Sequence, residues 1–205
     1  MPDSRNVYVI DDDTALRESL DFSLGSAGFQ VTLFETATHF LASLSKLDFG
    51  CILSDVRMPG IDGISFLRQL RANPIAYPVI IMTGHGDIPL AVEAIKLGAI
   101  DFLEKPFEDE HLIGMIDAAL HLRDELDTGD VRSQEIVSRV ASLSHRERQV
   151  LEGLIAGNSN KLIAREYNIS PRTVEVYRAN VMTKMQASSL SELIRLALRT
   201  GLLKD

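Results

Sequence analysis

The chain has 205 residues, 45% of them apolar and 24% charged, and a net charge of −8, which indicates one large globular domain or two small ones. A single cysteine, Cys51, excludes a disulfide framework and a four-cysteine zinc site. Because no uncharged apolar run reaches the roughly 18 residues that cross a bilayer, and aspartates occupy positions 11–13 where a signal peptide would be apolar, we predict a cytoplasmic protein without a membrane partner.

Short apolar runs alternate with amphipathic stretches over residues 1–123. The runs are mostly closed by Asp, Gly or Pro, which is typical of buried strands. They are Val7–Ile10, Val31–Phe34, Cys51–Ser54, Val79–Met82 and Phe102–Leu103. Leucines and other apolar residues recur between them at helical spacing. Five strands alternating with five helices predict an α/β fold, with a doubly wound parallel sheet covered by helices on both faces.

Residues 143–205 show no strand pattern and carry several helix-start signals. Ser144 and Glu147 have the spacing of a capping box, and Ser170 followed by Pro171 is a strong helix start. The short turn that precedes Ser170 has the length found in helix-turn-helix motifs. We therefore expect a small all-α domain of four helices, at about 145–156, 160–167, 171–185 and 190–199.

The charges are distributed unevenly along the chain. Residues 1–142 hold 11 basic and 23 acidic residues, a net charge of −12, whereas residues 143–205 hold 10 basic and 6 acidic residues, a net charge of +4. Such a division indicates two domains with different partners. We predict a first domain over residues 1–123, a partly helical linker over 124–142 and a second domain over 143–205.

Three carboxylates follow two of the predicted strands. Asp11 and Asp12 end the first strand, and Asp55 comes directly after the third. In a doubly wound sheet these strand ends are neighbours, and ligands bind at this edge. The carboxylates would repel one another unless a hard cation lay between them, and Mg²⁺ prefers a few carboxylates with retained waters. The alternative role of an aspartate before a helix is an N-cap, which we expect of Asp13.

Thr83 and Lys105 follow the fourth and fifth strands at the same edge of the predicted sheet. A hydroxyl donor, an ammonium group and Mg²⁺ around one carboxylate form a site for a phosphoryl group on that carboxylate. The alternative is a metal-dependent phosphatase or phosphotransferase with a helical accessory domain. Haloacid dehalogenase-type phosphatases carry Asp-x-Asp-x-Thr after the first strand, but here Ala15 occupies the last position and Thr14 comes one residue early. We therefore expect a protein that is not an enzyme.

Four segments of the first domain resemble the receiver domain of bacterial response regulators: Val9–Asp13, Ser54–Gly60, Met82–Gly84 and Asp101–Phe107. The resemblance covers residues 5–122 and implies a flavodoxin-like sheet with strand order 2-1-3-4-5. It also implies that a sensor histidine kinase phosphorylates Asp55. The metal ligands implied for Mg²⁺ are Asp11, Asp12 and Asp55.

The same resemblance implies roles for residues around this acceptor. Thr83 is expected to hydrogen-bond to the phosphoryl group, and Lys105 to form an ion pair with it. Phe102 occupies the position of the switch aromatic residue, which is often Tyr in such domains. The peptide bond between Lys105 and Pro106 is expected to be cis, an isomer that is largely confined to proline.

The predicted helix 171–185 has two distinct faces. One apolar stripe must face the core of the domain and consists of Val174, Tyr177, Val181 and Met185. Small, apolar and hydrogen-bonding side chains lie on the opposite face, which suits a DNA major groove: Arg172, Val176, Ala179, Asn180 and Thr183. Side chains that flank this face suit phosphate contacts: Thr173, Arg178 and Lys184. The alternative is a solvated face of a structural bundle.

Three segments of the second domain are similar to the LuxR-type helix-turn-helix: Leu143–Leu151, Asn160–Ala164 and Ser170–Arg178. A receiver followed by this domain is the arrangement of the NarL/FixJ family of transcription regulators. Within that family, the nitrogen-fixation regulators are most similar at Gly84–Asp87, Glu104–Asp109 and Arg172–Met182. The resemblance implies a transcription activator that dimerises on phosphorylation, binds double-stranded DNA and works with RNA polymerase.

Overall fold

Five short parallel strands form one sheet in the order β2-β1-β3-β4-β5, so the predicted fold class and strand order are confirmed. The strands are β1 Asn6–Ile10, β2 Gln30–Phe34, β3 Cys51–Asp55, β4 Val79–Thr83 and β5 Asp101–Glu104. Each contains its predicted apolar run and is one or two residues longer. The central strand β3 and its neighbour β4 are buried along their whole length, which is why their sequences are mainly apolar and do not alternate with polar residues.

The computed structural model describes residues 5–72, 77–84, 88–125 and 129–199. Contacts divide the chain into two units, one of Met1–Asp87 with Leu97–Glu125 and the other of Ile88–Lys96 with Leu126–Asp205. The domain boundaries given above stay a prediction. No helix within the described ranges has both the length and the apolar composition needed to cross a membrane.

Helices cover both faces of the sheet in the first unit. They are α1 Thr14–Ser26, α2 Ala37–Ser43, α3 Gly63–Leu70 and α5 Asp109–Glu125, with a 3₁₀ turn at Leu44–Lys46. On one face, Leu20 of α1 and Leu112 of α5 share a buried cluster with Val9 of β1. On the other, the Phe40 ring of α2 lies 5.8 Å from the ring of Tyr8. Successive side chains of β1 thus point to opposite faces, as the pleat of a strand requires.

The second unit is entirely helical in its described part. Its helices are α4 Ile88–Lys96, α6 Gly129–Ala141, α7 His145–Ile155, α8 Asn160–Glu166, α9 Pro171–Met185 and α10 Leu190–Arg199. The four helices predicted for the C-terminal domain are present within one residue of their expected ends, and α6 precedes them. Buried Val174, Val181 and Met185 show that α9 faces the core with its apolar stripe. Tyr177, the fourth member of the stripe, is half-buried.

Candidate functional site

Asp11 and Asp55 lie together at the carboxyl edge of the sheet. Asp55 ends β3, Asp11 follows β1, and these neighbouring strands are paired in register up to Ile10 and Ser54. Both carboxylates are withdrawn from solvent, with Asp11 1% and Asp55 7% exposed. Asp12, the third predicted metal ligand, is exposed.

Lys105 joins these two carboxylates. Its Nζ donates to Oδ2 of Asp11 at 2.8 Å and to Oδ1 of Asp55 at 2.5 Å. Its backbone N–H donates to the carbonyl of Thr83 at 2.8 Å, which ties the end of β4 to the same site. The peptide bond to Pro106 is cis, as expected. The structure therefore brings Asp11, Asp55 and Lys105 into direct contact.

The charge state of the site depends on this contact. Burial raises the pKa of Asp55, and the nearby Asp11 carboxylate adds to the rise; hydrogen bonds from Lys105 and from the N–H of Arg57 oppose it. Burial alone would lower the pKa of Lys105, but its hydrogen bonds to Asp11 and Asp55 outweigh burial and raise it. Lys105 is consequently charged at neutral pH and is the counter-ion of a buried carboxylate pair.

Backbone groups complete the surroundings of the two carboxylates. The N–H of Arg57 donates to Oδ2 of Asp55 at 2.6 Å, and the N–H of Asp13 donates to Oδ1 of Asp11 at 2.9 Å. Each donor lies two residues after its aspartate, a local pattern typical of Asp side chains. These two donors were not predicted from the sequence, although that spacing could have identified them. Asp13 also caps α1 through the N–H groups of Ala15 and Leu16, as predicted.

The Asp11–Asp55 pair fits a magnesium ion in its chemistry. Within the described residues, no three His, Cys, Asp or Glu side chains are grouped closely enough to form a ready-made metal cage. Mg²⁺, however, is usually bound through one or two carboxylates together with waters and substrate phosphates. The two buried carboxylates already form ion pairs with one ammonium nitrogen, Lys105 Nζ. They are therefore a suitable donor set for Mg²⁺.

The two remaining residues singled out by the resemblance to receivers, Thr83 and Phe102, lie on the neighbouring strands β4 and β5. Thr83 is the last residue of β4 and is 3% exposed. Phe102 is half-buried on β5, where it pairs with Ile81 of β4. Residues 85–87, part of the loop that resembles nitrogen-fixation regulators, lie outside the described residues.

The second predicted site is the outer face of α9. The five residues predicted for the major groove are all exposed, namely Arg172, Val176, Ala179, Asn180 and Thr183. Of the flanking residues, Thr173 and Arg178 are half-buried. Among the described residues, the side chains of Arg172 and Arg178 form no hydrogen bond or ion pair, so both guanidinium groups are available to phosphates.

The start of α9 is well defined. Ser170 accepts a hydrogen bond from the N–H of Thr173 at 3.0 Å, and Pro171 occupies the first turn, as predicted. The preceding turn contains Asn168 with a φ of 53°, a left-handed conformation that Asn tolerates better than most residues. Helix α9 packs against α7 and α8, which is the arrangement of a helix-turn-helix.

Lys184 differs from the other basic residues predicted to contact DNA. Its Nζ donates to Oε2 of Glu147 at 2.7 Å and to the carbonyl of Ser142 at 3.4 Å. Glu147 belongs to the predicted capping box of α7, which is confirmed, and its side chain is 6% exposed. Phosphate contact by Lys184 stays a prediction, and its ammonium group already has two acceptors within the protein.

Comparisons with known proteins assign a family to both parts of the chain. Residues 7–117 match the response regulator receiver domain, and residues 141–197 match the bacterial regulatory proteins of the luxR family. The chain is 64% identical over 200 residues to the transcriptional regulatory protein FixJ of Bradyrhizobium diazoefficiens, and the match covers 98% of each chain. The chain belongs to the FixJ-type two-component response regulators.

Other relatives of this regulator support the assignment. The FixJ protein of Rhizobium meliloti is 48% identical over 197 residues, with 95% of this chain and 96% of that protein covered. The crystal structure of full-length FixJ from B. japonicum is 64% identical and has a TM-score of 0.58, with 97% of this chain and 98% of that chain covered. The regulator is a transcription factor and not an enzyme, so the phosphatase alternative is wrong.

Membership of the family carries general consequences for partners and cofactor. A receiver domain implies a cognate kinase, and a LuxR-type domain implies binding to DNA. Receiver domains typically use Mg²⁺ for phosphorylation.

Proposed function

We propose that a sensor histidine kinase phosphorylates this regulator on Asp55, and that the phosphorylated form dimerises and activates transcription from promoter DNA. The observation that carries the proposal is the direct contact of Lys105 with the carboxylates of Asp55 and Asp11 at the carboxyl edge of the sheet. The resemblance to nitrogen-fixation regulators supports nitrogen-fixation genes as targets, with RNA polymerase as a further partner and the cytoplasm as the compartment.

In this proposal, the carboxylate of Asp55 is the nucleophile of the phosphoryl transfer. A carboxylate oxygen of Asp55 attacks the phosphorus of a phosphohistidine on the kinase; the new P–O bond forms as the P–N bond breaks, and the histidine nitrogen keeps the electron pair. Lys105 stabilises the negative charge that gathers around the phosphoryl group, and the buried hydroxyl of Thr83 donates a hydrogen bond to it. When Asp55 is phosphorylated, Thr83 and the half-buried ring of Phe102 move inward together, which alters the surface of β5.

The carboxylates of Asp11, Asp12 and Asp55 would hold Mg²⁺ in this proposal. The ion would neutralise charge on the carboxylates and on the incoming phosphoryl group. The fit rests on the donor set, because two buried carboxylates already require a positive charge between them. The role of this chain is to keep Asp11 and Asp55 fixed through Lys105 and through the N–H groups of Asp13 and Arg57.

DNA recognition is proposed for the outer face of α9. Residues in the centre of this face would contact base edges and thymine methyl groups, and its basic and hydroxyl residues would contact phosphates. The contact residues are Arg172, Thr173, Val176, Arg178, Ala179, Asn180 and Thr183. Val176 is 56% exposed, so its methyl groups are accessible to thymine methyl groups in a major groove.

Asn180→Ala and Arg178→Met are expected to weaken DNA binding in different ways. Loss of Asn180 should reduce discrimination between selected and scrambled duplexes by about 1–3 kcal/mol, because a base contact is lost. Loss of Arg178 should weaken binding to both duplexes equally and lower the slope of log K against log salt by about 1. Titrations at several salt concentrations measure both effects. Unchanged affinities in both variants would reject α9 as the DNA-binding face.

Phosphorylation is expected to convert the regulator from monomer to dimer. Two half-sites related by two-fold symmetry are usual for helix-turn-helix proteins. Strand β5, which carries Phe102, is an edge strand of the sheet and can change its surface when that ring moves. Sedimentation with and without acetyl phosphate and Mg²⁺ measures the change. Asp55→Asn is the control and should remain monomeric, whereas a monomeric phosphorylated wild type would contradict this part of the proposal.

A further inference from the structure

Charged side chains join the C-terminal turn of α9 to the corner between α6 and α7. Lys184, on the last turn of α9, donates to Oε2 of Glu147 and to the carbonyl of Ser142. Glu147 also accepts the N–H of Ser144 at 2.7 Å, so one buried carboxylate serves both the cap of α7 and the end of α9. Lys184 therefore spans from the DNA-binding helix to the start of a neighbouring helix.

Two arginines reinforce the same region. Arg139 of α6 donates to the carbonyl of Met185 at 3.3 Å, and Arg148 of α7 donates to the carbonyl of Val140 at 3.3 Å. The last carbonyls of a helix have no partner within the helix, and a cation beside them is favourable. The end of α9 is thus held from two directions, by Arg139 on α6 and by Glu147 on α7.

We infer that Lys184 is a positioning residue, which fixes the C-terminal turn of α9 through Glu147 and does not contact a DNA phosphate. This inference rests on the proposed DNA-binding role of α9. Two of the three N–H donors of the Lys184 ammonium group are directed at Glu147 and Ser142. Drawing the ammonium group toward a phosphate would weaken its hydrogen bond to Glu147, whose side chain is only 6% exposed. An uncompensated buried carboxylate is costly. Arg172 and Arg178 have no such bond to lose among the described residues.

The electrostatics of Glu147 support this view. The hydrogen bond from Lys184 is the main cause of a lowered pKa at Glu147, with the N–H of Ser144 contributing and burial opposing. Glu147 is therefore charged at neutral pH, and its buried carboxylate needs the positive charge of Lys184 beside it. The side chain of Lys184 is 41% exposed, and its ammonium group is paired with Glu147.

The test compares Lys184→Met with Arg178→Met in the full chain treated with acetyl phosphate and Mg²⁺. One probe is a duplex that the wild-type chain selects from a random library, and the other is a scrambled duplex of the same composition. Three quantities are measured for each variant: the affinity for both duplexes, the salt slope, and the DNA-binding fraction of the protein from a stoichiometric titration. Lys184→Arg and Glu147→Gln complete the set.

For Lys184→Met we expect the affinity for the selected duplex to fall about fivefold or more, comparable to the loss of one base contact. Affinity for the scrambled duplex, the salt slope and the binding-competent fraction should stay unchanged. Glu147→Gln should act in the same way. A double variant with both Lys184→Met and Glu147→Gln should bind the selected duplex no more weakly than either single variant, because the two residues act as one unit. Lys184→Arg should retain most of the wild-type affinity.

Two results would overturn the inference. Equal weakening on both duplexes, with a salt slope lower by about 1, would identify Lys184 as a phosphate contact. A reduced binding-competent fraction with unchanged affinity would show a role in stability alone. Arg178→Met and Asn180→Ala separate failure of this inference from failure of the proposed function, because unchanged DNA affinity in both of those variants would reject the DNA-binding face of α9 itself.

Discussion

Asp55→Asn is expected to reduce phosphate incorporation from acetyl phosphate or a kinase to background, because the amide is a poor nucleophile and cannot form the acyl phosphate. Labelled phosphate retained on the intact chain measures the effect. Asp62→Asn is the matched control: Asp62 caps α3 in the loop that follows Asp55, and Asn caps a helix as well as Asp. Wild-type phosphorylation of Asp55→Asn would reject Asp55 as the acceptor.

The same variant should keep the fold and resist unfolding at least as well as the wild type at neutral pH. Burial raises the pKa of Asp55, so the folded state holds its proton more tightly than the unfolded state does. The free energy of unfolding of the wild type therefore falls as pH rises from the ordinary carboxyl pKa through the raised one. Asp55→Asn lacks this titration. Urea unfolding of both proteins across that pH range should show that the difference between their free energies of unfolding becomes smaller toward acid pH.

Gly63→Ala is expected to destabilise the receiver unit by about 2 kcal/mol or more, a typical cost of overpacking. Gly63 begins α3, and an added Cβ would lie 2.6 Å from the carbonyl oxygen of Asp55 and 2.9 Å from Cα of Val56. Both neighbours are backbone atoms at the end of β3, so neither can move without displacing the acceptor. Because this displacement moves Asp55, Gly63→Ala should also be phosphorylated more slowly than the wild type.

Gly114→Ala is the matched control for this prediction. Gly114 lies inside α5, and nothing is within 4 Å of an added Cβ. Alanine at an exposed helical position should raise the free energy of unfolding by about 1 kcal/mol. Chemical unfolding of the wild type, Gly63→Ala and Gly114→Ala measures whether each substitution lowers or raises the free energy of unfolding. Equal midpoints for Gly63→Ala and the wild type would show that the β3–α3 connection is less tightly packed than the structure indicates.

The close approach at Gly63 illustrates what sequence reasoning missed. Gly63 reads as an ordinary turn residue after Asp62, and nothing in its neighbours' identities reveals a backbone 2.6 Å away. The contact arises because α3 returns directly over the end of β3, where the N–H of Gly63 donates to the carbonyl of Val56 at 3.0 Å. The distance between two backbone segments depends on how helix and strand pack.

The resemblance to receiver domains implied the strand order, whereas the Asp11–Asp55–Lys105 contact was within reach of the residue pattern itself. Short apolar runs closed by polar residues predict buried parallel strands, and parallel strands place their carboxyl ends at one edge. The residues that follow the strands must therefore meet there. The outer face of α9 was likewise predictable, because the spacing of Val174, Val181 and Met185 defines the buried side of a helix and leaves the other side exposed.

What the sequence determined by itself is the set of elements, their buried faces and the residues gathered at the edge of the sheet, because burial imposes a periodic pattern that can be read locally. Only the tertiary structure decided which partner each charged side chain takes. Lys184 reads as one more basic residue on a DNA-binding helix, yet its ammonium group is bound to Glu147, 37 positions away. That pairing depends on the crossing of α7 and α9, and helix crossing is set by the packing of both helices together.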